Sequence, residues 1–175
     1  MDRGTARRDI VDGIVDDWTS ARRDLDVEPL GVFSRIRRIA KQLDNERKRV
    51  FAESGLEPWE FDVLASLRRA GPPHSLSPKR LLETNLVSSG TMTNRIDRLV
   101  DRGLVRRELH PDDRRGVLVR MTPEGLARVD DAFTRLVEVE HRRVAGLDGR
   151  QRAELSALLR TLALSMELDR ELPGA

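Results

Sequence analysis

Apolar residues recur at every third or fourth position through most of the chain, a spacing that places them on one side of an α-helix. The pattern predicts helices over residues 5–25, 30–52, 57–69, 77–85, 88–103 and 122–145, and a last helix from residue 148. Residues 104–109 and 117–121 alternate instead between apolar and polar, which predicts a β-hairpin around the sequence HPDDRRG. We therefore expect a mostly α fold with a small β-hairpin (α+β).

The segment SSGTMTNRIDRLVDRG, residues 88–103, has two different faces. Its apolar side chains gather on one stripe, which holds Met92, Ile96, Leu99 and Val100. Arginine hydrogen-bonds guanine and asparagine hydrogen-bonds adenine, and small residues allow close approach. Thr91, Asn94 and Arg98 on the opposite face are therefore candidate readers of base edges in a DNA groove. The alternative is an ordinary solvated helix face.

The helices over 77–85 and 88–103 are joined by a short connection, which is typical of a helix-turn-helix. The hairpin that follows is then a wing. At its tip, Arg115 is a candidate minor-groove reader and Arg114 a candidate phosphate contact, while Asp113 can fix an arginine fork by pairing with it. The candidate contacts to backbone phosphates in the helices are Ser77, Lys79 and Ser89.

Basic residues are concentrated in this same part of the chain. Residues 77–120 hold ten Lys and Arg against six Asp and Glu, whereas residues 1–30 hold eight acidic residues against five arginines. The formal net charge of the whole chain is only +2. The local excess of positive charge therefore says more than the total, and it favours a nucleic-acid partner.

The composition also excludes several classes of protein. The 175 residues include no cysteine, so disulfides, thiolate zinc sites and thiol-based redox sensing are excluded. No apolar run approaches the roughly 18 residues of a membrane span, and the first residues lack the apolar core of a signal peptide. We expect a cytoplasmic protein with no membrane partner.

Helical segments from both ends of the chain flank the winged unit and carry more apolar residues than one thin pair of helices can cover. We expect a second copy to cover them in a homodimer. A twofold dimer places two recognition helices about one turn of DNA apart (~34 Å), on a palindromic site. The expected division is N-terminal helices over 1–54, a winged helix-turn-helix DNA-binding domain over 55–122 and C-terminal dimerisation helices over 123–175.

Two motifs connect this sequence with a known family: LSPKRLLETNLVSSGTMTNRIDRLVDRGLV and DDRRGVLVRMTPEG. From Leu30 onward the chain resembles the MarR family of bacterial transcription regulators. The family's wing pattern, Asp-x-Arg followed by a strand ending in Leu-Thr, falls on Asp113 and Arg115, with Met121 in place of the usual Leu. The resemblance implies a winged helix-turn-helix flanked by N- and C-terminal dimerisation helices, and a repressor that binds double-stranded DNA at a palindromic operator.

The added helix over 5–25 resembles the urate-responsive subfamily of these regulators. Its members are understood to bind an aromatic anion through four side chains, and the matching residues here are Trp18, Asp62, Arg95 and Arg107. An anion that drew the two arginines inward would shift the recognition helix and release the operator. Two alternatives stay open: Asp62 pairs with Arg95 as an internal strut, and Trp18 simply packs in the core.

Two other classes of function compete with a ligand-responsive regulator. An enzyme finds little support, because His74, His110 and His141 are scattered and no nucleophile motif, phosphate loop or zinc spacing occurs. We expect no catalytic residue, metal or cofactor; a metal bound at HPDD is a weak alternative. The remaining class is a ligand-independent architectural DNA-binding protein, which predicts a steep salt dependence and little preference among sequences.

Overall fold

A computed structural model describes residues 8–85, 87–109 and 116–171, and side chains as far as residue 167. The fold is mostly helical with a small antiparallel sheet, as the sequence predicted. In chain order the elements are α1 (Ile10–Ala21), α2 (Pro29–Glu53), α3 (Pro58–Arg69), β1 (Ser75–Leu76), α4 (Pro78–Asn85), α5 (Ser89–Asp101), β2 (Val105–Leu109), β3 (Val117–Met121), α6 (Pro123–Arg143) and α7 (Gly149–Glu171).

Side-chain caps fix where several helices begin. The hydroxyl of Ser88 accepts from the backbone N–H of Thr91 at the start of α5, at 3.3 Å, and the hydroxyl of Thr122 accepts from Gly125 at the start of α6, at 3.1 Å. Asp9 caps α1 in the same way. The predicted helix over 5–25 is longer than the observed one. Helix α1 begins after Asp9, and the chain leaves helical geometry at Arg22.

The sheet has one strand more than the sequence predicted. Strands β2 and β3 form the expected antiparallel hairpin, in which Val105 lies opposite Met121. The two-residue strand β1 pairs with the other edge of β3, so the strand order is β1-β3-β2. Two residues are too short to show an alternating pattern, and this is why β1 was missed.

One hydrophobic core holds the winged unit together. The predicted apolar stripe of α5 is buried, with Met92, Ile96 and Leu99 at most 2% exposed. Helix α3 lies at the centre and packs against α4 and α6. At the junction with α2, the rings of Phe51 and Phe61 stack with their centroids 4.0 Å apart. The core therefore supports α5 from behind and leaves its polar face outward.

The flanking helices are packed differently. Phe33 and Leu43 on α2, which the pattern places on a buried face, are 47% and 37% exposed, and Trp18 on α1 is 51% exposed. Helix α7 makes only slight contact with the rest of the described chain. In one copy of the chain, Trp18 does not pack in the core. No helix among the described residues has both the length and the apolar content needed to cross a membrane.

Candidate nucleic-acid interface

Helix α5 is fixed at both ends. Its start is capped by Ser88, and its end is tied to the start of α3 through Arg102. The Arg102 guanidinium pairs with the carboxylate of Glu60, which has no solvent exposure, and also donates to the backbone carbonyl of Gly55 at 2.7 Å. A buried carboxylate that loses its partner is strongly destabilising. This link therefore sets the position of α5 relative to α3.

The outward face of α5 is open to solvent. Thr91, Asn94 and Arg98 are all exposed, as the sequence predicted for residues that reach a groove. The hydroxyl groups of Thr91 and Ser88 lie 2.8 Å apart. Gly90 on the same face has nothing within 4 Å of the position of a Cβ atom, so another molecule can approach the backbone closely there.

Glu57 and Trp59, which the sequence did not indicate as site residues, lie beside this face. The guanidinium groups of Arg95 and Arg98 lie over the ring of Trp59, 5.6 and 4.7 Å from its centroid. Glu57 accepts from Arg98 at 3.3 Å and from the indole N–H of Trp59. The signal in the sequence is weak: a tryptophan directly after Pro58, at the second position of a helix whose apolar stripe lies further along.

These side chains surround a shallow groove of about 460 Å³, which is lined by Trp59, Gly90, Thr91, Asn94, Arg95 and Arg98. Three of its six residues are thus the predicted base readers. A fourth, Arg95, was predicted to bind a ligand, and the structure places it among them.

The residues predicted to contact phosphates lie around α4 and α5. Ser77 precedes α4, and its hydroxyl accepts from the backbone N–H of Arg80 at 3.3 Å. Lys79 and Ser89 are exposed. The wing-tip candidates Asp113, Arg114 and Arg115 lie outside the described residues.

The four residues predicted to bind an anion do not meet in one copy of the chain. Within the described chain, no hydrogen bond or ion pair joins any two of them. Asp62 pairs with Arg47 of α2 at 3.4 Å, and Arg95 lies over Trp59, so the alternative of an Asp62–Arg95 strut is wrong for this structure. Arg107 on β2 pairs with Asp97 of α5, which links the wing to the recognition helix.

A cavity of about 510 Å³ lies beside Asp62, between α2, α3, α4 and α6. Its wall combines the aromatic rings of Phe61 and Phe133 with the guanidinium groups of Arg47 and Arg68. Arg68 is itself paired with Asp130 at 2.8 Å, and this hydrogen bond raises the pKa of Arg68. The cavity is thus large enough for a small aromatic molecule, and its lining includes acidic as well as cationic side chains.

Carboxylates order the arginines of the wing strands. Glu108 of β2 accepts from Arg120 of β3 at 3.2 Å and from Arg106 at 2.7 Å. The hydrogen bond from Arg120 lowers the pKa of Glu108, and Arg106 adds to this effect, so the carboxyl group stays ionised at neutral pH. Among the described residues, no group of three or more acidic or histidine side chains is placed to hold a metal ion.

A sequence model of the MarR family matches residues 54–116, from just after α2 into the wing. The HTH-type transcriptional regulator PecS of Dickeya dadantii is 36% identical over 149 residues, which cover 85% of this chain and 90% of PecS.

Two solved structures are similar over most of their length. A mutant MarR from Escherichia coli in complex with operator DNA is 26% identical with a TM-score of 0.65, covering 83% of this chain and 96% of that one. Bordetella bronchiseptica BpsR, whose DNA binding is regulated by 6-hydroxynicotinic acid, is 26% identical with a TM-score of 0.56, covering 74% of this chain and 98% of BpsR.

Proposed function

The chain belongs to the MarR family of winged-helix transcriptional regulators, and from this premise we propose that it is a repressor which binds a palindromic operator as a homodimer. We further propose that a small aromatic or anionic ligand, such as urate, releases it from DNA. The observation that carries the DNA-binding part is the exposed polar face of α5, supported from behind by a packed core.

Each residue of the interface has a proposed role. Arg98 reads guanine, Asn94 reads adenine and Thr91 contacts a neighbouring base edge. Arg115 enters the minor groove while Asp113 orders it. The remaining residues contact backbone phosphates and so position the protein on DNA: Ser77, Lys79, Ser89 and Arg114.

The proposed dimer interface is formed by the helices that flank the winged unit. Their apolar side chains are exposed in one copy, among them Phe33 of α2, Phe133 of α6 and Leu158 of α7. A second copy related by a twofold axis would cover these faces and fix the separation of the two α5 helices. In this arrangement residues 1–54 and 123–175 serve dimerisation, and residues 55–122 serve DNA binding.

The proposed ligand acts through Trp18, Asp62, Arg95 and Arg107. For Arg95 and Asp62 to bind an anion together, Arg95 has to leave Trp59 and Asp62 has to exchange its pairing with Arg47. Both exchanges pull on α5 or on the helix behind it. Ligand binding would therefore move the α5 helices out of register with the two half-sites, and this couples ligand binding to DNA release. The similarity to BpsR, which responds to an aromatic acid, supports an effector of this class.

Selection from a pool of randomised duplexes tests the DNA-binding proposal. At fixed salt we expect the wild-type protein to enrich a sequence with twofold symmetry, and a gel-shift titration to give tighter binding to it than to a scrambled duplex. Equal affinity for every duplex would instead support the architectural DNA-binding protein. Urate added to the complex with the enriched duplex then tests release.

A further inference from the structure

Glu57 and Trp59 lie at the start of α3 and contact α5 on the side that the proposed function turns towards DNA. The ring of Trp59 lies under the guanidinium of Arg98, whose carbon is 4.7 Å from the ring centroid, and the partly buried Trp59 side chain packs against the core. The ring is therefore anchored, and the arginine is held against a fixed surface. Arg98 itself stays 54% exposed and accessible to another molecule.

The carboxylate of Glu57 connects the two residues. One of its oxygens accepts from Arg98 at 3.3 Å, and the other accepts from the indole N–H of Trp59. Both oxygens are thus engaged, and the guanidinium is held by a stacking contact and a hydrogen bond at once. The Glu57 side chain is 57% exposed, so this carboxylate lies at the surface and not in the core.

We infer that Glu57 and Trp59 are specificity-determining residues of the DNA interface, which hold Arg98 in the DNA-free protein so that only the correct base displaces the carboxylate. The inference rests on the proposed function, since it assigns Arg98 to a base. Glu57 competes with DNA for Arg98, and Trp59 keeps the guanidinium positioned while the exchange takes place.

The physical basis is that Glu57 weakens the binding of incorrect duplexes more than that of the correct one. Its carboxylate competes with the phosphates of any duplex for Arg98, so the arginine gains little by leaving Glu57 for a nonspecific contact. A guanine offers two acceptors to the arginine and more than replaces an exposed ion pair, whereas a wrong base does not. Discrimination then comes from weakening the binding of incorrect sequences.

Trp59 acts on the correct complex instead. An aromatic face restricts the arginine to a small range of positions without consuming its hydrogen-bond donors. Less conformational freedom is then lost when the arginine binds a base, because much of it is already lost in the free protein.

The test compares Glu57→Gln with wild type on two DNA probes: a duplex that the wild-type protein enriches from a randomised pool, and a scrambled duplex of the same composition. We expect Glu57→Gln to bind the scrambled duplex about threefold to tenfold more tightly, with a smaller gain on the enriched duplex. The ratio of the two affinities should fall, because glutamine keeps an acceptor for Trp59 but no longer competes, as an anion, with the phosphates of the scrambled duplex for Arg98.

Glu53→Gln is a matched control. Glu53 makes an exposed ion pair of similar length, 3.4 Å to Arg135, at the end of α2, and its replacement changes the net charge equally. We expect this variant to leave the ratio unchanged. If Glu57→Gln also leaves it unchanged, or if both variants lower it alike, the assignment of Glu57 is wrong. If wild type enriches no sequence at all, the proposed function fails, and this outcome is distinct from the other two.

Trp59 is tested with a conservative pair of variants. We expect Trp59→Leu to weaken binding to the enriched duplex about tenfold and to leave the scrambled duplex unaffected, and Trp59→Phe to restore most of the lost affinity because it keeps an aromatic face. Thermal melting of each variant shows whether the fold is retained. Equal binding by the Leu and Phe variants would show that the ring has no part in specificity.

Discussion

The winged unit and the helices that flank it bury their apolar side chains to very different extents. In the winged unit, Leu64, Leu81 and Leu99 have no solvent exposure. In the flanking helices, Phe33, Phe133 and Leu158 are 47%, 56% and 63% exposed. Both regions have amphipathic helices, so the difference lies in whether the chain itself supplies a partner for each apolar face.

The difference indicates how the two regions depend on assembly. A face that is covered within the chain is stable in one copy, and it can present a polar surface in a fixed position. A large exposed apolar face in a folded protein marks an interaction site. The winged unit therefore covers its apolar faces within one chain, while α1, α2 and α7 cover theirs only in the proposed dimer.

The largest expected effect is that of a charge placed on the exposed face of α7. Leu158→Glu should weaken dimerisation about a hundredfold or more, because each twofold interface would bury two unpaired carboxylates. Sedimentation velocity should show a monomer at concentrations where wild type is a dimer, with an unchanged far-UV circular dichroism spectrum. DNA affinity should fall with it, since both half-sites need a linked pair of helices.

Leu158→Met is the control for this change, since it keeps an apolar side chain of similar volume and should remain dimeric. A Leu158→Glu protein that stays dimeric would place the interface elsewhere, and the exposed face of α7 would then need another explanation.

The sequence predicted the winged unit more accurately than its surroundings, for a physical reason. Periodicity identifies a buried face wherever a helix is long, and α5 fits its predicted stripe at Met92 and Ile96. It does not say whether the burial occurs within the chain, and for Phe33 of α2 the covering partner is absent from one copy. The two-residue strand β1 is below the length at which any pattern is visible.

Side-chain partners were predictable only where they are local. The caps at Ser77 and Thr122 follow from the sequence, because donor and acceptor are three residues apart. The contact of Glu57 with Arg98 spans 41 positions, and an arginine-rich chain offers many equivalent partners for each carboxylate. Asp62 accordingly pairs with Arg47, a residue that no local pattern distinguishes.

The next effect concerns the framework of the winged unit. Gly125 at the start of α6 is buried, and a Cβ atom there would lie 2.1 Å from the backbone carbonyl oxygen of Leu104. Gly125→Ala should therefore lower the free energy of unfolding by about 3 kcal/mol, because backbone has to move to relieve the contact. Differential scanning calorimetry should show a melting temperature lower by roughly 6–12 °C.

Gly90→Ala is the matched control for Gly125→Ala. Nothing lies within 4 Å of the Cβ position at Gly90, and the residue is helical, so alanine there should be neutral or stabilising by up to about 1 kcal/mol. Equal melting temperatures for the two variants would contradict the close packing of α6 against the start of β2.

A smaller effect is expected at the wing tip. Arg115→Ala should weaken binding to the enriched duplex about tenfold and leave dimerisation intact, because it removes one proposed minor-groove contact and no apolar side chain. Gel-shift titration and sedimentation measure the two properties separately. Arg135→Ala is the control, since it removes an equal charge from an exposed ion pair with Asp131 on α6. If both variants bind DNA as tightly as wild type, the wing serves only as a spacer.

The smallest expected effect is that of replacing Trp18, a residue of the proposed ligand site. Trp18 is half exposed on α1 and free to stack on an aromatic anion, so urate should quench its fluorescence. Trp59 also emits, and the informative measurement is therefore the difference between wild type and Trp18→Phe. The variant should lose most of the quenching and need about threefold more urate to release the enriched duplex, since phenylalanine offers a smaller face. An identical response of the two proteins to urate would remove Trp18 from the site and leave the flanking helices with dimerisation alone.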